Sequence, residues 1–255
     1  MDISSSLKTN ISNNEDDEKA YITVVMPAYN EGVKIKNNLL KASATISAFV
    51  KNYKIIAVND GSHDNTSEEI QAAALEDSHI RYLDYPENKG KGYAIRLGVN
   101  YANADYIAFL DSDLELDPSM LRYFLKALLS ENADIAIGSK LHKKSKLEYP
   151  FFRRIMSIGY FVMLKIIFRL NIKDTQTGIK LFRGPVIKSI CADLITDGFA
   201  FDIEILATAN NMGCKIIEMP IKLKFERSRK EKSRFSSRII LKIFKDTLKI
   251  KRKLK

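Results

Sequence analysis

Four acidic side chains follow an apolar run near the middle of the chain. Asp111, Asp113, Glu115 and Asp117 occupy every second position after the run YIAFL. Residues two apart in an extended strand end point to the same side, so Asp111 and Asp113 would lie together, and Glu115 would join them if the extended geometry continued. Clustered carboxylates repel unless a cation lies between them, and Mg²⁺ or Mn²⁺ accepts one or two carboxylates plus substrate phosphates. The spacing predicts a divalent-metal site; the alternative is a polar loop in which Asp117 caps the next helix.

The elements that must position these acids alternate along the first half of the chain. Apolar runs predict strands at 21–29, 53–60, 80–85, 106–113 and 133–140, and the segments between them predict helices at 31–50, 66–75, 88–102 and 118–129. Thr66 and Glu69 fit a capping box at the start of the second helix. This alternation indicates an α/β fold with a mostly parallel sheet flanked by helices. Ligands bind such sheets beyond the carboxyl ends of the strands, where PAYNE, NDGSHD and DSDLE fall.

The second half of the chain is less regular and ends in a basic tail. Its pattern predicts an amphipathic helix at 151–170, a loop and strand at 174–182, helices at 185–195 and 200–212, a strand at 214–225 and an amphipathic helix at 235–252. Residues 222–255 hold 15 Lys and Arg against 3 Asp and Glu, in a chain of net charge +10. We expect a disordered leader at 1–19, one domain at 20–225, and a basic loop with an amphipathic helix at 226–255 that docks on a membrane surface or a partner.

Several motifs occur together in one order. They are MPAYNE at 26–31, VNDGSHDNT at 58–66, NKGKGYAIRLG at 88–98 and LDSDLE at 110–115. In this order they resemble the nucleotide-binding half of family-two inverting glycosyltransferases, which have the Rossmann-like GT-A fold. The motifs GSK at 138–140, RRIMS at 153–157, DTQTGIKLF at 174–182 and FDIE at 201–204 resemble the subgroup that loads sugars onto dolichyl or polyprenyl phosphate. The resemblance implies metal-dependent hexose transfer. DTQTGIKLF favours UDP-glucose as the donor, whereas DSDLE favours GDP-mannose; of the two, we expect UDP-glucose.

The resemblance also implies roles for individual residues on the donor side. The implied nucleotide-binding residues are Pro27, Tyr29, Asn30, Glu31, Asp60, Lys91 and Asp111. Lys91 lies at a helix N-terminus, where backbone N–H groups and a cation suit a diphosphate. The implied ligands of Mg²⁺ or Mn²⁺ are Asp111 and Asp113, and Glu115 stands where polyprenyl-phosphate enzymes often have Gln.

The acceptor decides which further residues would be catalytic. A phosphate monoester carries a charge of about −1.5 to −2 at pH 7, so it needs cations to position it rather than a strong base. Lys140, Arg153 and Arg154 are the candidates, and Lys140 replaces the forked Arg that is usual in the family with a point charge. A sugar-hydroxyl acceptor would instead need a carboxylate base, for which Glu204, Asp202 and Asp174 are available.

The expected partners are a nucleotide sugar, a lipid phosphate and a membrane surface or membrane-anchored protein. No secretory signal is visible in the first 19 residues, and charged residues interrupt the apolar stretch at 151–170 before it reaches the roughly 20 residues of a membrane span. We therefore expect a peripheral protein on the cytoplasmic side of a membrane. The remaining alternative, a non-catalytic module whose tail binds nucleic acid, would leave the three strand-end loops unexplained, and the tail has few aromatic residues for base stacking.

Overall fold

The computed structural model describes residues 20–147, 164–165, 167–198, 200–223 and 237–254. Its strands are β1 (Tyr21–Ala28), β2 (Asn52–Asp60), β3 (Ile80–Tyr85), β4 (Tyr106–Leu110), β5 (Ile135–Ser139), β6 (Lys146–Leu147), β7 (Ile179–Arg183), β8 (Ile216–Pro220) and β9 (Lys222–Leu223). Its helices are α1 (Lys34–Ser47), α2 (Thr66–Glu76), α3 (Lys91–Tyr101), α4 (Met120–Ser130), α5 (Gly184–Ala192), α6 (Phe201–Asn211) and α7 (Ser237–Lys253).

Seven strands form one mostly parallel sheet, which confirms the predicted fold class. The order is β3-β2-β1-β4-β7-β5-β8, and β6 pairs with β9 in a separate two-stranded ribbon. Strand β1 is parallel to both β2 and β4, and β5 is parallel to β8. Strand β7 runs antiparallel to β4 and β5, which lie on either side of it. The beginning of β7 therefore lies at the same edge as the carboxyl ends of the other strands.

Helices cover both faces of this sheet and bury its apolar side chains. On one face, residues such as Ile35 of α1, Ile70 of α2 and Phe124 of α4 pack on the strands. On the other face the core contains residues of α3, α5 and α6 together with Ile250 of α7. Each fully buried large apolar side chain contributes about 1.5–3 kcal/mol to folding. These layers fix the strands, and the strands hold the polar loops at their ends.

The predicted capping box at Thr66 is wrong, although α2 does begin there. The Thr66 hydroxyl donates to Asp64 Oδ1 at 2.5 Å instead of capping the helix. It also accepts the backbone N–H groups of Glu31 and Gly32, each at 2.9 Å. Because Thr66 is fully buried, it ties the loop after β1 to the start of α2.

Several predictions for the second half need other boundaries. The strand predicted at 214–225 is interrupted at Ile221, which separates β8 from β9. The helix predicted at 185–195 ends at Ala192, and the last helix spans Ser237–Lys253. The leader at 1–19, most of the helix predicted at 151–170 and the basic loop at 226–234 lie outside the described residues. Within the described ranges, no helix combines the length and the apolar character that crossing a membrane requires.

Candidate active site

The loop after β1 is bound to the loop after β2. Asn30 adopts a left-handed backbone conformation with φ of 54°, and its N–H donates to the Ser62 hydroxyl at 3.0 Å. Its side-chain oxygen accepts the His63 N–H at 3.0 Å, and the Tyr29 ring stands edge-on to the His63 ring. Tyr29 is 40% exposed. Pro27 lies within β1 opposite Val58, so this loop presents Tyr29 and Asn30 at the rim.

Asp60 ends β2 and shapes the turn that leads into α3. Its carboxylate is buried and accepts the N–H groups of Lys89 and Gly90, the Tyr85 hydroxyl and the Asn88 side-chain amide, at 2.7–3.1 Å. Gly90 has a φ of 100°, a conformation that L side chains rarely adopt. Asp60 thus fixes the path of the chain immediately before Lys91, and a nucleotide-binding role for it stays a prediction.

Lys91 is the first residue of α3 and forms an ion pair with Asp111 at the end of β4. Burial lowers the pKa of Lys91, but the nearby Asp111 and Asp202 carboxylates outweigh burial and raise it overall, so the amine is charged. The Gly92 and Tyr93 N–H groups donate to the Asp197 carbonyl at 2.8 and 3.3 Å. Because those two helix N–H groups are already engaged, the charged Lys91 side chain is a donor that this turn offers to an anion.

The acids after β4 lie in a turn and not in an extended strand. Strand β4 ends at Leu110, and Leu114 has a left-handed φ of 52°. The Glu115 N–H donates to Asp113 Oδ1 at 3.1 Å. The alternation argument for grouping these acids is therefore wrong. The pKa of Asp113 is nevertheless raised to about 6, chiefly through desolvation by the surrounding protein, although its side chain is exposed. The Asp111 and Glu115 charges raise it further, so these acids still interact.

The donor set at this turn fits a divalent cation. The described residues contain no cluster of three or more His, Cys, Asp or Glu side chains that could hold a metal by themselves. Mg²⁺ and Mn²⁺ sites at phosphates, however, use only one or two carboxylates, and the substrate supplies the remaining oxygens. Asp111 and Asp113 are such a pair, and the Asp111 charge adds to desolvation in raising the pKa of Asp113.

A buried ion pair between Lys180 of β7 and Asp202 of α6 adjoins this cluster. Lys180 Nζ lies 2.7 Å from Asp202 Oδ1 and donates to the Thr177 carbonyl at 2.6 Å. Burial raises the pKa of Asp202, whereas the Lys180 and Lys91 charges act to lower it. Sequence reasoning did not identify Lys180; the available signal was a lysine inside the apolar run IKLF of a buried strand.

Asp174 organises the loop before β7. Its carboxylate accepts the Lys140 N–H at 2.9 Å, the Thr177 hydroxyl at 2.6 Å and the Gln176 N–H at 3.2 Å. Lys140 Nζ lies 3.9 Å from the same carboxylate. This loop meets the acidic turn, because the Asp111 N–H donates to the Gly178 carbonyl at 3.1 Å. Arg153 and Arg154 lie outside the described residues.

Glu204 is not among the contacts of the Lys91–Asp111 pair. Its side chain is fully buried and accepts hydrogen bonds from the N–H groups of Ile195 and Thr196, the Thr196 hydroxyl and Lys253 Nζ. A carboxylate so engaged has no free position for a substrate hydroxyl. The geometry thus opposes the expectation that Glu204 is a general base.

The chain is similar to known proteins over most of its length. The chain is 31% identical over 234 residues to a dolichyl-phosphate beta-glucosyltransferase of Saccharomyces cerevisiae, covering 83% of this chain and 69% of the relative. It is 32% identical over 224 residues to the Drosophila melanogaster protein of that name, covering 82% and 68%. The chain thus spans about two thirds of the length of these relatives.

Solved structures share the fold at lower identity. Glucosyl-3-phosphoglycerate synthase of Mycobacterium tuberculosis in complex with uridine diphosphate matches with a TM-score of 0.67 at 17% identity, covering 92% of this chain and 80% of that one. A complex of the same enzyme with Mn²⁺, uridine diphosphate and glucosyl-3-phosphoglycerate matches with a TM-score of 0.66 at 18% identity, covering 91% and 78%. The model of the family described as "Glycosyl transferase family 2" matches residues 23–191, and the chain belongs to that family.

Proposed function

We propose that this chain transfers glucose from UDP-glucose to dolichyl or polyprenyl phosphate, with inversion at the anomeric carbon and with Mg²⁺ or Mn²⁺ held by Asp111 and Asp113. The observation that carries the proposal is the Lys91–Asp111 ion pair beside Asp113, at the edge where the strand-end loops converge. The names of the dolichyl-phosphate relatives support the sugar and the acceptor. GDP-mannose is the second donor to test.

On the donor side, the chain must bind a diphosphate and stabilise it as it leaves. Bound at Asp111 and Asp113, the divalent cation would neutralise the charge that develops on the diphosphate. Lys91 supplies a second positive charge from the adjacent helix, and its raised pKa keeps it protonated at neutral pH. Tyr29 and Asn30 at the same rim are the proposed contacts for the nucleoside.

On the acceptor side, the three candidate base carboxylates are already engaged in contacts within the protein, which supports a phosphate nucleophile. Asp174 is bound to its own loop, Asp202 to Lys180, and Glu204 to residues 195–196 and Lys253. None of the three is placed as an unengaged base for a sugar hydroxyl, whereas a phosphate monoester is already ionised at pH 7. Lys140 is the described cation proposed to position it, together with Arg153 and Arg154.

The acceptor lipid requires contact with a membrane. The last turns of α7 expose Lys245, Lys249 and Arg252 to solvent. Basic side chains near anionic lipid contribute about 1 kcal/mol each. We place the protein peripherally on the cytoplasmic face, docked through α7 and the basic segment before it or through a membrane-anchored partner.

The test is an assay of sugar transfer to dolichyl phosphate in detergent or vesicles. Labelled UDP-glucose, GDP-mannose and UDP-N-acetylglucosamine are supplied separately, with Mn²⁺ or with EDTA, and organic-phase product is counted. We expect label from UDP-glucose alone, its loss with EDTA, and a β-linked product by NMR.

Other outcomes would select other functions. Label from GDP-mannose would change the donor while keeping the reaction class. Transfer to a sugar hydroxyl with none to the lipid, or turnover that is indifferent to EDTA, contradicts the proposal. Salt-sensitive nucleic-acid binding that survives Asp113→Ala, in a protein without transferase activity, would favour the non-catalytic module.

A further inference from the structure

Glu204 of α6 is a buried charge whose contacts link three separate parts of the chain. It accepts the Ile195 and Thr196 N–H groups at 2.9 Å each and the Thr196 hydroxyl at 2.6 Å. Lys253 Nζ, from the last turn of α7, lies 2.9 Å from Glu204 Oε1 and also donates to the Asp193 carbonyl. Removing one partner from a buried, hydrogen-bonded charge leaves the other groups unsatisfied, so this carboxylate holds residues 194–197 firmly in place.

Residues 194–197 in turn hold the N-terminus of α3. The Asp197 carbonyl accepts the Gly92 and Tyr93 N–H groups, and Arg96 pairs with the Asp197 side chain at 2.5 Å. The fit is close: a Cβ on Gly90 would come within 2.6 Å of the Asp197 carbonyl oxygen, and one on Gly92 within 2.9 Å. The segment therefore sets the position of the helix start on either side of Lys91.

We infer that Glu204 is a positioning residue for Lys91, acting through residues 194–197, and that Lys253 completes its coordination from the C-terminal helix. This inference rests on the proposed role of Lys91 in binding a nucleotide diphosphate. Loss of the Glu204 carboxylate would release Ile195 and Thr196, loosen the Asp197 contact with α3, and leave Lys91 without a fixed orientation toward the diphosphate. Glu204, the acid of the FDIE motif, then supports donor binding because it fixes the backbone of residues 194–197, and not because it accepts a proton.

The first test measures the mechanical link in the protein without substrate. Amide hydrogen exchange is followed in peptides that cover residues 89–97 and 52–60, in the full chain and in Glu204→Gln. We expect faster exchange of the Gly92 and Tyr93 amides in the variant, with strand 52–60 unchanged. Unchanged exchange at 89–97 overturns the inference whatever the enzyme's substrate; faster exchange in both peptides marks general destabilisation and overturns it too.

The second test uses Lys253, whose loss perturbs the core less than loss of Glu204. Lys253→Met should raise the Kd for UDP with Mn²⁺ by about threefold to tenfold and should lower kcat/KM for the nucleotide sugar at least as much, because Lys91 is proposed to contact the diphosphate both in the bound donor and as it leaves. Lys253→Arg keeps the charge pair and should restore most of the affinity. The matched control is Lys41→Met, which removes one exposed charge from helix α1.

The two tests separate failure of the inference from failure of the proposed function. If the unaltered chain binds no nucleotide diphosphate, the proposed function fails and the role assigned to Glu204 fails with it. If it binds UDP but Lys253→Met behaves like Lys41→Met, the proposed function stands and the inference is wrong. A lower melting temperature with unchanged KM in Glu204→Gln would assign the carboxylate to stability alone and would also overturn the inference.

Discussion

Asp113 is the side chain whose protonation most directly controls cation binding at the proposed site. Its pKa of about 6 lies above the usual value for aspartate, so in the metal-free protein the carboxyl group is neutral at pH 5 and ionised at pH 7.5. A cation binds the ionised form, and the proton must leave first. We expect Mn²⁺ affinity, measured by calorimetry with UDP present, to fall by about tenfold for each pH unit below 6.

The matching variant is Asp113→Asn. It should lose activity by more than about a hundredfold and should reduce the pH dependence of Mn²⁺ binding near pH 6 to the part that comes from the terminal phosphate of UDP, whose second pKa is also about 6. Asp117→Asn, which alters the helix-start acid of the same loop, is the control. Activity close to that of the unaltered chain in Asp113→Asn would contradict the assignment of this residue to the metal.

Gly178 lies directly against the Asp111 carboxylate and limits where it can be placed. A Cβ at residue 178 would overlap the Asp111 carboxylate, and Gly178 does not need a positive φ, so close approach and not turn geometry explains the glycine. We expect Gly178→Ala to lower kcat/KM by about a hundredfold, because the carboxylate must move, with only a small change in melting temperature.

A second glycine, Gly198, provides the control for Gly178→Ala. A Cβ on Gly198 would meet nothing within 4 Å, so Gly198→Ala should keep full activity. Equal activity of the two alanine variants would show that Asp111 is not held by this contact.

The sequence predicted site residues that stand in polar motifs at strand ends. It did not predict a site residue that stands within an apolar strand. Lys91, Asp111 and Asp113 stand in polar motifs at strand ends, and the structure brings them together. Lys180 was missed because it interrupts an apolar strand and finds its partner, Asp202, only in three dimensions. Glu204 was assigned as a possible base because a motif cannot show that a carboxylate is already bound.

At the scale of elements, α3 matters because it carries Lys91 and packs against β1 through a glycine. A Cβ on Gly98 would overlap the Val25 side chain. Alanine normally stabilises a helix interior by about 1 kcal/mol relative to glycine, but overpacking a core costs about 1–3 kcal/mol. We expect Gly98→Ala to destabilise the protein by up to about 2 kcal/mol in urea unfolding.

The control for this prediction lies on the opposite side of the same helix. Asn100 is exposed, so Asn100→Ala should be neutral or slightly stabilising. If Gly98→Ala were as stable as Asn100→Ala, α3 would not lie as close to β1 as the structure has it.

The positions of helices and strands could be predicted from local sequence patterns. The pairing direction of the strands and the conformation of the turns could not. The strands β1 to β5 fall where the apolar runs lie, because parallel strands covered on both faces need continuous apolar sequence. No local signal marked β7 as antiparallel, since a strand's pairing direction depends on the chain path and not on its composition. The turn at Leu114 was also unforeseen, because a left-handed leucine has no sequence signature.

At the scale of the whole molecule, the uneven charge predicts where the chain meets lipid. Replacing the three exposed basic residues near the end of α7 should weaken binding to anionic vesicles by about a hundredfold, at about 1 kcal/mol each and low salt. The variant is K245Q/K249Q/R252Q, measured by vesicle sedimentation. The same number of charges removed from α1 and the loop after it, in K34Q/K41Q/K51Q, should have much less effect. Equal losses would mean that only net charge matters.

The reversed strand β7 divides the edge of the sheet that carries the candidate site into two halves. On one side, β1, β2 and β4 deliver the residues proposed for the nucleotide and the cation, in loops clamped to one another. On the other side, the segment entering β7 and the segment leaving β5 meet through Asp174 and Lys140. Insertions or substitutions in the second half would therefore change the acceptor that is bound and leave nucleotide binding by the first half intact. The same fold can in this way form different products from one donor.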